Sequence, residues 1–144
     1  MASSLPLEVG TTTSTTFRVS STDLASAIST DPEDKFPAVF ATSRLVAWME
    51  IAGARLLKPH LSPGQLSVGV SIDISHTAPT PPGALVTTQA TYKGTDGKLF
   101  LFEVVAMDAG GQVGKGVHKR AIVDRERLES SARKRLETQD TALI

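Results

Sequence analysis

The stretch Ala41–Lys58 sets the tightest limit on what this chain can become. Leu45, Trp48, Met49, Ala52 and Leu56 recur at helical spacing. Val46, Gly53 and Leu57 lie beside them, and Ala47, Ile51 and Ala54 cover most of the remainder. A helix that is apolar nearly all round has to be enclosed by other elements. Four strand-like runs follow it: Leu66–His76, Ala84–Lys93, Lys98–Asp108 and Gln112–Asp124. Asp96-Gly97 and Gly110-Gly111 punctuate the later runs as hairpin turns do. A further alternating run, Thr15–Ser20, comes before the helix. Strand, helix, then four strands joined mostly by tight turns describes an α+β fold, with an antiparallel sheet of five to six strands around one central helix. Ten-residue strands reach roughly 33 Å, and an 18-residue helix roughly 27 Å, so the sheet is long enough to curl around the whole helix.

At 144 residues the chain is expected to form one domain. Residues 1–14 read as a flexible lead and 15–124 as the folded domain. Residues 125–144 read as a charged, solvated tail helix with Leu128 and Leu136 as its apolar anchors. Fifteen Lys and Arg balance fifteen Asp and Glu, so no net field draws nucleic acid or an acidic membrane. The sparse aromatics are not interleaved with basic residues, as single-stranded nucleic acids require. There is no cysteine, which excludes disulfides, thiolate metal sites and a cysteine nucleophile. Three histidines show no ligand spacing, so no metal is expected. Met1 to Thr16 lacks the apolar stretch of a secretory signal, and no run approaches the ~20 apolar residues of a membrane span. A cytoplasmic protein is the expectation.

Three places could carry chemistry. Glu50 stands alone on the apolar helix, with Val46, Ala47, Gly53 and Ala54 at three and four residues, so no helical ion pair is available. Buried without a partner, a carboxylate has its charged form disfavoured, and such groups tend to mark function. Glu50 could equally lie on a solvent-facing strip or meet a distant arginine. His76 ends a strand in which Val68, Val70, Ile72 and Ile74 share one face. It falls in phase with that face and so points at the helix, either as a hydrogen-bonded core histidine or as a companion to Glu50. A bulge would break that phase. Thr42 and Ser43 open the helix, where one of them could be the N-cap, or they could flank a ligand beside free backbone N–H groups. Thr42 and Glu50 lie roughly 12 Å apart along a straight helix. Gly69 interrupts a Val/Ile-rich strand, which signals a bulge or close approach of a ligand or partner. Gly53 and Ala54 would admit another backbone. The proline-rich run Ala78–Gly83 forms a stiff loop that holds His76.

These residues together resemble a known family. Phe36-Pro37-Ala38-Val39-Phe40-Ala41-Thr42, Met49-Glu50, His76-Thr77, Thr80-Pro81-Pro82-Gly83 and Gly114–Ala121 are similar to the fluoroacetyl-CoA thioesterase group of the hotdog fold, over roughly residues 36–124. The resemblance implies a homodimer that hydrolyses a short acyl-CoA at the subunit interface, with no cofactor beyond the CoA of the substrate. It places catalytic roles on Thr42, Glu50 and His76, with Phe36, Ser43, Gly69 and Arg120 on the substrate side. Glu33 stands where that group has a second lid phenylalanine, which implies a small acyl group other than fluoroacetyl. Two rivals share the fold: an acyl-CoA hydratase or dehydratase, whose product keeps the thioester, and a module that binds acyl-CoA without turning it over. A purely structural dimer would leave Glu50 and the proline loop unexplained.

Overall fold

The computed structural model describes residues 6–143, with side chains described as far as residue 137. The chain forms β1 (Thr12–Arg18), α1 (Thr42–Leu57), β2 (Gln65–His76), β3 (Leu85–Asp96), β4 (Leu99–Asp108), β5 (Gly111–Asp124) and α2 (Arg125–Leu143). The five strands make one antiparallel sheet in the order β1-β3-β4-β5-β2. β1 begins three residues before the alternation indicated, because Thr12, Thr13 and Ser14 pair with Thr91, Ala90 and Gln89. Residues 1–5 of the expected lead and Ile144 of the expected tail lie outside the described residues.

The concave face of the sheet packs on α1. Leu45, Met49, Ala52, Leu56 and Leu57 are buried against Phe17, Val86, Ala90, Phe102, Val104 and Val113. The ring of Phe17 stacks on that of Trp48 with centroids 3.7 Å apart, fixing β1 to the helix. Thr15 and Thr88, both buried, share a hydrogen bond of 2.8 Å, and Thr88 also donates to the Trp48 carbonyl, so the hydroxyls carry no unpaired cost. The helix is less enclosed than its apolar composition indicated. Val46, Ala47, Glu50, Ile51 and Ala54 are only half-buried, and the same side faces β2, whose outer edge has no strand beside it among the described residues.

β2 corrects the expected phase. Between Gly69, opposite Arg120, and Ser71, opposite Lys119, one extra residue is inserted, so Val70 is a β-bulge. The inward set becomes Ser67 and Gly69 before the bulge, then Ile72, Ile74 and His76 after it, while Val70 is 52% exposed. The expected face through Val68 and Val70 is therefore broken, yet His76 keeps its inward direction. In α2, Asp124 accepts from the Arg127 amide and caps the helix. Leu128 and Leu136 are 40% and 56% exposed, so they anchor little.

The start of α1 is tied down by buried Asp23. It accepts hydrogen bonds from the amide and hydroxyl of Ser20 and from Arg44 of α1, at 2.9–3.0 Å, while its carbonyl takes the Ala41 amide. Burial works against the charge of Asp23, but the Ser20 and Arg44 contacts outweigh it and hold the carboxyl below its usual range. Asp23→Ala should cost about 1–3 kcal/mol of stability in urea denaturation. A carboxyl with a lowered folded pKa stabilises fully above its unfolded value, roughly pH 4, and loses that contribution as pH falls through the folded value. The variant should accordingly lose less of its own stability than wild type does on acidification below roughly pH 4.

Candidate active site

The first turn of α1 has no side-chain cap. Its N-cap is Ala41, which has no hydroxyl or carboxyl to offer, so neither Thr42 nor Ser43 takes the capping role. Thr42 is the first helical residue, and its Oγ1 lies 2.8 Å from Nδ1 of His76. The Arg44 amide turns back to the Ala41 carbonyl, whereas the amides of Thr42 and Ser43 have no partner among the described residues, and this places two donors beside the Thr42–His76 pair. Burial pushes the His76 pKa down, against a backbone contact at Ala78. Its Nε2 is buried with no partner among the described residues. Phe40 presents its ring nearly edge-on to the imidazole, with centroids 6.1 Å apart. A cavity of about 410 Å³ opens here, lined by Pro37, Phe40, Thr42, His76 and Pro79 among others.

The proline loop positions this pair as expected. The Thr80 carbonyl takes the Phe40 amide, the buried Thr80 hydroxyl donates to Asp108, and the Thr77 amide bonds the Val113 carbonyl. His76 is thus bracketed between the end of β2 and a loop fixed at both flanks.

Glu50 lies elsewhere, two helical turns along α1. Its Oε1 is 3.6 Å from Nη1 of Arg120 on β5, which is 7% exposed against 43% for Glu50. The expected unpartnered carboxylate therefore has a partner, the distant arginine that its sequence surroundings allowed. Arg120 is held in turn by Ser67, donating to its hydroxyl and its carbonyl at 2.9 Å each. Burial lowers the Arg120 pKa while Glu50 acts in the opposite sense. Gly69 lies directly against Glu50: a Cβ there would overlap the Glu50 carboxylate. Gly69 thus borders the bulge at Val70, and its bare backbone admits Glu50 of the same chain rather than the ligand or partner expected. Gly53 likewise makes room for side chains rather than a backbone, since a Cβ there would meet Arg120 and His118 at 3.3 Å. A smaller cavity of about 220 Å³ is lined by Glu50, Gly69, Val70, Ser71 and His118 among others.

The residues singled out in the sequence therefore fall into two groups. Thr42 and His76 meet at the head of α1, and Glu50, Gly69 and Arg120 meet at its middle. Among the described residues no hydrogen bond or ion pair joins Glu50 to His76. Ser43 and Phe36 are exposed, Phe36 by 49%, and neither lines the cavity beside His76. His118, buried between Ser71 and Arg120, was not distinguished by spacing. Its position two residues before Arg120 on β5 puts both side chains on one sheet face, and that is the signal that marks it.

Residues 19–126 match the family described as FlK, fluoroacetyl-CoA-specific thioesterase. The chain belongs to this family. A fluoroacetyl-CoA thioesterase from Streptantibioticus cattleyicolor is 39% identical over 101 residues, which are 70% of this chain and 73% of that protein. A variant of the thioesterase FlK in complex with fluoroacetate superimposes with a TM-score of 0.84 at 34% identity, covering 89% of this chain and 98% of the other. A thioesterase superfamily member from Thermus thermophilus shares the fold, with a TM-score of 0.84 at 23% identity over 94% of this chain and 98% of the other. The expected α+β hotdog architecture and thioester-hydrolase class both hold.

The packing at Gly69 gives a direct test. Gly69→Ala should push the Glu50 side chain off β2 and lower the rate of thioester cleavage by at least about tenfold, a loss of about 1.4 kcal/mol in transition-state stabilisation. The same Cβ would also meet the buried His118 ring at 3.2 Å, so the melting temperature should fall as well. Thiol release and a thermal melt on the same preparation check both.

Proposed function

We propose that this thioesterase hydrolyses a short-chain acyl-CoA to the free acid and CoA, at sites shared between the two chains of a homodimer. The observation that carries the proposal is the split within one chain. Thr42 and His76 lie roughly 12 Å along α1 from Glu50, and the cavity beside each group is open. β2 is an edge strand of twelve residues, paired among the described residues only with β5, and its outer edge is of the kind that proteins normally cover. Antiparallel pairing of two such edges about a two-fold axis would set the C-terminal end of one β2, with His76, toward the N-terminal half of the other, with Gly69 and Glu50. It would also cover the half-buried side of α1.

In this reading the Glu50 carboxylate attacks the thioester carbonyl, or takes a proton from the water that does. Thr42 and the first-turn amides of α1 steady the oxyanion. As the tetrahedral species collapses, the C–S bond breaks and the leaving thiolate takes a proton through His76, which is made good by a proton of the water consumed in the hydrolysis. In the carboxylate-attack route, water then cleaves the acyl–Glu50 anhydride. Substrate and water are the only reactants, so the scheme includes no metal and no cofactor. The segment that leads into α1 is polar: Ser29 donates to Asp34, the Glu33 amide donates to Asp31, and all four are half- to fully exposed. This supports a small acyl group other than fluoroacetyl, with Phe36 and Ser43 contacting substrate only once a second chain or the substrate closes the site. A cytoplasmic setting belongs to the proposal, because a CoA thioester is too highly charged to cross membranes unaided.

The primary test is thiol release from a panel of short acyl-CoAs. The protein has no cysteine, so a thiol reagent reads freed CoA alone. Wild type should release thiol and Glu50→Ala should lose about 10²–10⁴-fold; an unaffected Glu50→Ala would sink the assignment. Sharing between chains has its own test. Glu50→Ala and His76→Ala, each inactive alone, should recover about a quarter of wild-type activity when unfolded together and refolded at equal ratio, since half the random dimers carry one intact site of two. No recovery would place each site within one chain.

A further inference from the structure

His118 is among the most buried polar side chains of the protein, 1% exposed, and the scheme above gives it no task. Its surroundings dictate its chemistry. Nδ1 lies 2.8 Å from the Ser71 carbonyl oxygen, which can only accept, so Nδ1 must carry a proton. Nε2 lies 3.1 Å from Nη1 of Arg120, a guanidinium nitrogen that can only donate. Nε2 must therefore be a bare acceptor. Both contacts are satisfied together by a single form of the ring, the neutral Nδ1–H tautomer. Gly53 of α1 leaves the space that the ring occupies, a Cβ there being 3.3 Å from its Cδ2.

The Nη1 that His118 engages is the atom that faces Glu50, 3.6 Å from Oε1 and 3.4 Å from the Glu50 carbonyl oxygen. Two contacts from Ser67 fix the Nε and Nη2 side of the guanidinium, and His118 fixes the remaining corner. We propose that His118 is a positioning residue for this site: locked as the Nδ1–H tautomer by Ser71, it orients Arg120 through Nε2 and so sets the place of the Glu50 carboxylate. The inference rests on the assignment of Glu50 as the acting group.

A consequence concerns pH. The charged groups that face the ring are Arg120 on its own strand and Glu50 on α1. β2 offers it the Ser71 carbonyl and β4 the Phe102 ring, 6.3 Å away. Burial is the largest influence and lowers the His118 pKa; Arg120 acts in the same sense, Ser71 and Glu50 against it. Protonation of Nε2 would set an N–H against the N–H of Arg120 and turn the guanidinium away. His118 therefore stays neutral at neutral pH, and acidification releases Arg120 only below the ordinary histidine range, roughly pH 6.5.

The test combines one measurement that does not read activity with one that does. Long-range ¹H–¹⁵N NMR on the intact protein should show the His118 ring with Nδ1 protonated and Nε2 bare at pH 7; an Nε2–H tautomer or an imidazolium would overturn the proposal. In thiol-release assays, His118→Leu should lower kcat at least about tenfold while circular dichroism stays native. His118→Gln places an amide oxygen near the Nε2 position and should restore most of that loss, with a flatter acidic limb than wild type. If Glu50→Ala is inactive yet His118→Leu keeps wild-type kcat and pH profile, the positioning role fails while the assignment of Glu50 stands. If Glu50→Ala is fully active, the assignment itself has failed. Should His118→Leu lose its fold, the NMR tautomer decides alone.

Discussion

The bulge at Val70 governs where the polar side chains of this protein can go. β2 must satisfy two demands: near its C-terminal end it has to send Ile72, Ile74 and His76 into the core side, and near its N-terminal end it has to present Ser67 and the bare backbone of Gly69 to α1. A regular strand alternates strictly and would bring Val70 inward instead, displacing either the histidine or the glycine. One inserted residue reconciles the two. Everything in the middle group follows: Arg120, opposite Gly69, lies against Ser67; His118, opposite Ile72, reaches the Ser71 carbonyl freed by the irregular pairing; Glu50 fits over the glycine.

The two groups along α1 differ in character. At the head of the helix the pieces are neutral and few, a hydroxyl, an imidazole and backbone amides, beside a cavity of about 410 Å³. In the middle they are charged and interlocked, with a buried guanidinium whose nitrogens contact Ser67, His118 and Glu50. Burying a guanidinium is costly unless its donors are met, and here they are met by fixed acceptors on β2 and β5. The carboxylate is the one member with freedom to move, being half-exposed.

Much of this was legible in the residues. The helix, the strands and the hairpin turns follow from period 3.6 against period 2 and from Gly-containing dipeptides, and their ends fall within a few residues of expectation. Glu50, His76 and Thr42 stood out because each breaks the pattern around it. Three things were not legible. The bulge was not, because Val70 is as good a strand residue as Val68 and only pairing with β5 reveals the insertion. The cap was not, because Thr42 has the right chemistry for a cap but stands one residue too late, and its hydroxyl is taken by His76 across 34 positions of sequence. The partnership of Glu50 with Arg120, 70 residues away in the chain, depends on two strands and a helix packing together, which no local spacing encodes.

The uncapped start of α1 carries a thermodynamic meaning of its own. A serine, aspartate or asparagine at an N-cap typically contributes about 0.5–2 kcal/mol over alanine, and Ala41 forgoes it. The amides of Thr42 and Ser43 have no partner among the described residues, next to a histidine nitrogen that also lacks one. The free protein is thus held slightly short of the stability its fold could reach. An oxygen atom of a bound ligand that meets those donors would supply the missing cap, so that recognition at this place amounts to completing the helix.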